Sequence, residues 1–254
     1  MSDTFVTYIG GPTVLLEYAG LRILTDPTFD APGSYVEPSG LTLVKTVGPA
    51  IAVDQLGEVD LGLLSHHQHL DNLDHLGREV LLRLPLVLST AKAAEEVGGP
   101  VSGLAPWASR TVGAVTVTAT PALHGPAQFE AMSGPVIGFV LQAAGEPTVY
   151  ISGDNASLEL VDQIADRIDA VDVALLHAGA ARIPAIDAAL TMTSPDAAEA
   201  ARILDPKQVV GIHTEDWGHL SETREQFVAA FAAADLVDLL VDIPRGVRVP
   251  LASS

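Results

Sequence analysis

The stretch Leu63 to His75, LLSHHQHLDNLDH, constrains this chain more than any other, because four of its eight histidines lie there. Upstream, Asp60 to Leu64 reads as a short buried strand. Downstream, Asn72 to Leu84 reads as a helix. His66, His67, His69 and Asp71 therefore sit on the loop leaving the end of a strand, where a rigid scaffold lets side chains converge. Neutral imidazole is the commonest protein ligand for divalent metals, and a nearby carboxylate adds negative charge. The remaining histidines recur far along the chain at the ends of apolar runs. A metal site assembled by folding has this pattern.

Such a site needs a core to hold it. Of 254 residues 48% are hydrophobic and 18% charged, enough for one large domain spanning 1–254. The net charge of −19 argues against a nucleic-acid surface, which needs Lys and Arg to displace counterions, and against an anionic membrane. A small anionic substrate stays compatible, since a bound metal reverses the local field. There is no cysteine, hence no disulfide framework and no thiolate. Met1-Ser2-Asp3-Thr4 carries no basic segment or signal-type apolar run. These features set the expectation of a soluble, cytoplasmic protein acting on a small molecule, with oligomeric state open.

Along the chain, Phe5 to Ile9, Thr13 to Tyr18 and Leu21 to Thr25 read as antiparallel strands, the third ending at Asp26-Pro27. Residues 28–50 are rich in Gly, Pro and Ser and read as a loop bordering the site. Strands are expected at Leu86 to Ser89, Val112 to Ala119, Val136 to Gln142, 148–154, Val171 to Leu176, Gln208 to Ile212, Val237 to Val241 and Gly246 to Val249. Helices are expected over Thr90 to Val97, from Leu158 behind Ser157, from Ser194-Pro195-Asp196 to Leu204, and from 221–224 to about Ala234. Hairpins dominate the first half, and strands mixed with helices the second, which implies a layered α/β arrangement.

Five places share one context, an apolar strand followed by His or Asp and a turn. They are the His66/His67/His69/Asp71 loop, His124, Asp154, His177 and His213. Each alone reads as a satisfied polar residue or a turn cap; the joint pattern carries the weight. The chain resembles the metallo-β-lactamase fold superfamily of metal-dependent hydrolases. The resemblance runs from Tyr8-Ile9-Gly10-Gly11-Pro12-Thr13 through Leu24-Thr25-Asp26-Pro27, the histidine loop, Pro121-Ala122-Leu123-His124-Gly125 and Ser152-Gly153-Asp154 to Gly211-Ile212-His213. Within that superfamily it is most similar to the branch of ascorbate-phosphate lactonase and the phospholipase-D-like phosphodiesterases.

The resemblance implies a four-layer αββα sandwich with a metal site at one edge between two sheets. It implies one or two divalent ions, zinc first and manganese or iron as alternatives. One ion would take the two loop histidines and His124. The other would take Asp71 and His213, with Asp154 bridging, and Asp26 would orient ligands by hydrogen bonding. Two departures matter. The loop motif's last histidine is Asn72 here, and a neutral amide oxygen is a weaker ligand. The second site would then bind loosely, take a harder metal or stay empty. The first loop ligand is either His66 or His67. The implied activity is hydrolysis of a small ester, lactone or phosphodiester by metal-bound hydroxide, with Asp71 orienting it and His219 or His177 supplying a proton to the leaving group. The alternative is a non-catalytic or weakly metal-binding protein on the same fold. His75 reads as an exposed helix residue.

Overall fold

The computed structural model describes residues 4–251. In chain order its strands and helices are β1 (Phe5–Gly10), β2 (Thr13–Tyr18), β3 (Leu21–Thr25), β4 (Gly33–Val36), β5 (Thr42–Lys45), β6 (Leu61–Leu63), α1 (His75–Leu81), β7 (Val87–Ser89), α2 (Ala91–Glu96), β8 (Val101–Gly103), β9 (Ser109–Val112), β10 (Val115–Ala122), α3 (Glu130–Ser133), β11 (Val136–Gln142), β12 (Val149–Ile151), α4 (Leu158–Arg167), β13 (Val173–His177), α5 (Ser194–Leu204), β14 (Gln208–Ile212), α6 (Arg224–Ala233) and β15 (Arg248–Pro250). One sheet runs β15-β1-β2-β3-β6-β7-β8, a second β14-β13-β12-β11-β10-β9, and β4-β5 form a separate hairpin.

The layers follow from which faces are apolar. Alternate residues of β1 and β2, such as Val6, Tyr8, Val14 and Leu16, meet Val117, Phe139, Leu175 and Val210 of the second sheet in one core. Each such side chain contributes roughly 1.5–3 kcal/mol by leaving water. The outer face of the second sheet packs Val140, Tyr150 and Leu176 under α4, α5 and α6. The outer face of the first is covered by residues of α1 and α2 and of the 51–59 segment. The result is helix, sheet, sheet, helix: the four-layer αββα arrangement of the metallo-β-lactamase fold.

Strand direction decides where the chemistry gathers. β3 pairs parallel with β6, so Asp26 and the histidine loop leave the first sheet at one edge. In the second sheet β12, β13 and β14 are mutually parallel. β10 runs alongside them in the same sense, because it is antiparallel to β11 and β11 to β12. His124, Asp154, His177 and His213 therefore all emerge at the same ends of their strands.

Several local expectations are corrected. Residues 28–50 are not an irregular loop: β4 and β5 pair through Gly33↔Lys45 to Val36↔Thr42 around a turn at 37–41. The histidine-loop helix starts at His75 rather than Asn72, because Asp74 caps it, accepting from Gly77 N at 2.7 Å. Helix α5 is capped by Thr193 rather than Ser194; Thr193 Oγ1 accepts from Asp196 N, and Asp196 Oδ2 accepts from Thr193 N, a reciprocal capping box. Val237–Leu239 is a single 3₁₀ turn, not a strand, and Leu240 meets β14 only in one bridge to Val209. Val101–Gly103 adds an edge strand the sequence reading did not contain.

The hairpin is fastened to the rest by a buried ion pair. Lys45 Nζ lies 2.9 Å from Asp74 Oδ2, and both side chains are almost fully buried. Asp74 also accepts from the backbone N–H groups of Phe29, Asp30 and Gly77. A buried charge is tolerated when it is paired and its lone pairs are filled. Lys45→Met leaves Asp74 buried without its counter-charge and is expected to lower stability by about 3 kcal/mol, the low end for such a loss because three N–H donors remain. Urea denaturation at neutral pH measures this; a loss below ~1 kcal/mol, the range of an exposed pair, would contradict the assignment.

Candidate metal centre

Two groups of donors meet at the shared strand edge: His66, His69 and His124, and Asp71, Asp154 and His213. In the first, His69 Nδ1 lies 3.0 Å from His66 Nε2 and 3.1 Å from His124 Nε2. A tetrahedral ion with bonds of 2.0–2.1 Å sets its ligand nitrogens about 3.3 Å apart, so the rings are close to the spacing a metal requires. The remote nitrogens are held. His124 Nδ1 donates to Leu190 O at 2.8 Å, which leaves Nε2 with a free lone pair, and His66 Nδ1 lies 2.9 Å from Ser65 Oγ. Burial keeps the rings of His66 and His69 neutral: it pushes His66 well below the ordinary histidine range and His69 down to about 4.

Asp154 stands between the groups. Its Oδ1 faces His177 Nδ1 at 2.8 Å and Asn72 Nδ2 at 3.4 Å. Its Oδ2 is buried without a hydrogen-bond partner. That oxygen lies 3.7 Å from His213 Nε2, 3.8 Å from His124 Nε2 and 4.0 Å from His66 Nε2. An orphaned carboxylate oxygen encircled by imidazole nitrogens is costly unless something cationic sits among them. His213 Nε2 is likewise buried without a hydrogen bond, 3.3 Å from Asp71 Oδ2. These unspent atoms, and the mixed nitrogen and oxygen donor set, fit a divalent metal.

Without a metal the second group balances itself by charge. Burial alone would raise Asp71, but His219 and His213 beside it hold its carboxyl well below the usual carboxylate range. Burial opposes charge on His213, but Asp154 and then Asp71 outweigh it and raise His213 to about 9. Asp154 is likewise held down by the surrounding imidazoles, His213 foremost, against the opposing effect of burial.

The backbone is shaped for this convergence. Gly153, at φ +57°, brings Asp154 past β11 so closely that a Cβ would lie 2.6 Å from Ile137 O. A Cβ on Gly179 would lie 2.2 Å from His213 O. His213 itself is left-handed at φ +54°, a strained conformation for a residue of this kind, and its N–H donates to Gly11 O at 2.8 Å.

The remaining sequence candidates separate clearly. His66, not His67, joins the first group; His67 Nε2 lies 2.6 Å from Glu96 Oε2. Asn72 presents its amide nitrogen to Asp154 Oδ1 at 3.4 Å, and its own Oδ1 is buried without a hydrogen-bond partner. Asp26 accepts from Ser65 N at 2.7 Å, so it fixes the backbone at the base of the loop rather than a ligand ring. His177 is fully buried against Asp154 and is not among the residues that line the cavity. His219 Nε2 lies 2.9 Å from Asp71 Oδ2. His75 is exposed and pairs with Asp30.

A cavity of about 520 Å³ opens beside His69, Asp71, His124 and His219. Its walls come from the 37–41 turn and from Met132, Ile183, Ile186 and Leu190. Sequence reasoning missed Glu37, which lines this cavity and accepts from Leu70 N at 3.2 Å. The short alternating runs on either side of Pro38-Ser39-Gly40 were the available signal for the hairpin that carries it.

A family model described as a beta-lactamase superfamily domain matches residues 21–214. A UPF0173 metal-dependent hydrolase of Methanosphaerula palustris is 30% identical over 74% of this chain and 82% of the relative. Another, of Pelotomaculum thermopropionicum, is 29% identical over 94% of this chain and 96% of the relative. The crystal structure of a possible metal-dependent hydrolase from Veillonella parvula superposes with a TM-score of 0.85 at 19% identity, covering 99% of this chain and all of that one. Among the described residues no helix is long and apolar enough to cross a membrane.

His213 gives a pH dependence with a defined sign. In the metal-free protein its raised value makes the imidazolium–carboxylate contact stabilising; that contribution is full below about 6.5, the ordinary histidine value, and is lost as pH rises through about 9. Metal binding needs the neutral ring, so affinity is expected to climb by up to about tenfold per pH unit between 7 and 9, with release of a proton. Calorimetric titration with zinc in two buffers of different ionisation enthalpy measures both, and pH-independent affinity over that range would refute it.

Proposed function

Because the chain belongs to the UPF0173 metal-dependent hydrolases of the beta-lactamase superfamily, we propose that it cleaves a small, uncharged, largely apolar ester or lactone, with zinc as the first metal to test. The observation that carries this reading is the cavity. It adjoins both donor groups, its walls are mostly aliphatic, and no lysine or arginine lines it. A bound metal would itself attract an anion, but the walls add no counter-charge for the rest of a phosphodiester and include the carboxyl group of Glu37. The lactonase side of the branch resemblance therefore suits the pocket better than the phosphodiesterase side. Imidazole-rich donor sets suit zinc, while the carboxylates of the second group also suit manganese or iron.

A divalent ion held by these residues supplies a Lewis acid and a water acidified toward neutral pKa. The chain's own groups do the rest. Asp71 stays ionised at neutral pH and lines the cavity, where it orients the attacking water. Leu190, Ile183 and Ile186 hold the apolar part of the substrate and exclude bulk water, which strengthens the electrostatics at the reacting carbonyl. His124, fixed through Leu190 O, keeps its Nε2 aimed at the other imidazoles.

Purified protein loaded with zinc is expected to turn over uncharged aryl esters or γ-lactones at least about tenfold faster in kcat/KM than a bis-aryl phosphate, a transition-state difference of about 1.4 kcal/mol or more. His124→Ala is expected to lose metal and activity together. A preference for the phosphate diester, or full activity in His124→Ala, would overturn the reading.

A further inference from the structure

The metal-site reading, on which this inference rests, leaves the two groups unequal. The first offers three imidazoles; the second offers two carboxylates and one imidazole. Asn72 turns its amide nitrogen toward Asp154 at 3.4 Å, and in place of an imidazole it offers only a neutral amide oxygen, a weaker donor. A further imidazole, from the far end of the chain, reaches Asp71 at the edge of that group. His219 Nε2 lies 2.9 Å from Asp71 Oδ2, the same oxygen that faces His213 Nε2 at 3.3 Å. Its side chain is 13% exposed and lines the cavity.

The contacts that fasten the hairpin also hold the ring where it is. The 216–219 segment is sewn to the hairpin: Gly218 N donates to Val44 O at 2.8 Å and Thr46 N to Asp216 O at 2.7 Å. On its other side, Arg182 N donates to His219 O at 3.0 Å. Trp217 packs edge-on to the imidazole with centroids 6.3 Å apart, and Lys45, already fixed by Asp74, lies over the Trp217 ring. A ligand must be preorganised by its surroundings, and this one is fastened on both flanks.

We propose that His219 is a ligand of the second metal, completing a set of Asp71, Asp154, His213 and His219. Two carboxylates and two imidazoles fill a four-coordinate site. The role displaces the proton-donor function that the sequence suggested for His219. It would let a second site form with an asparagine at position 72.

The competing role is positioning alone, with His219 holding Asp71 by a hydrogen bond. Two variants separate the two. His219→Gln keeps an amide N–H able to reach Asp71 but loses the imidazole lone pair; His219→Ala loses both. His75→Ala, on the exposed start of α1, is the control. Each protein is loaded with zinc, freed of excess metal and counted by elemental mass spectrometry, and the apo forms are titrated with cobalt(II) while its visible ligand-field bands are followed. Circular dichroism checks folding.

The expected result is about two zinc per chain for the wild type and His75→Ala, with both His219 variants retaining about one and binding the second more than about 100-fold more weakly, beyond what loss of an outer hydrogen bond to a ligand produces. The second-site cobalt band should shift or vanish in both. If His219→Gln keeps two zinc with affinity within about tenfold of the wild type, the ligand role is overturned and positioning stands. A wild type that binds a single zinc, lost in His66→Ala but not in His219→Ala, also overturns it. A wild type that binds no metal overturns the metal-site reading itself.

Discussion

The site turns on one buried carboxylate. Asp154 has no access to solvent, and an isolated charge in that position costs far more than any one contact returns. Its two oxygens are treated differently. One is occupied by His177 and Asn72; the other is left facing His66, His124 and His213. That division orients the carboxylate, and the orientation defines where the two donor groups meet. His177, which the sequence presents as one more histidine at a strand end, is thus the residue that turns Asp154 toward the others.

The convergence is topological before it is chemical. Because β10, β12, β13 and β14 run in one sense, and β3 and β6 do likewise in the facing sheet, each functional residue lies at the end of a strand or on the loop that leaves it, on one shared edge. The sheets are rigid, tightly packed and indifferent to what the loop residues are. The loops bear the cost of convergence, in the left-handed backbone of His213 and in the steric demands met only by Gly153 and Gly179.

What was legible in the sequence follows the same division. The buried strands β11 and β14 and the cap of α4 at Ser157 were readable because periodicity and capping chemistry are local. So was the list of histidines and aspartates at strand ends. Which of His66 and His67 turns inward was not, because adjacent residues on a loop have no fixed periodicity; Glu96, on a different helix, decides it by taking His67. The 33–45 hairpin escaped because its strands are short, partly exposed and lack a continuous apolar run; it is held by Lys45 and Asp74, charges that sequence reasoning places on the surface. Helix starts moved by one to three residues where several neighbouring residues could cap, as with Thr193 and Ser194 for α5, and Asp74 in place of the 71–72 pair for α1.

The hairpin also has a consequence for how such an enzyme diversifies. Its stem is clamped by Lys45 and by backbone pairing to the 216–218 segment, while residues 38–41 at its tip form cavity wall without contributing a metal donor. A panel fastened in its stem and through the contact of Glu37 with Leu70 N is replaceable between those points. Exchanging or lengthening that short turn recuts the substrate chamber while leaving the hydrolytic centre in place, so new specificities on this frame are reachable through a few neighbouring codons, without redesign of the strand edge that performs the reaction.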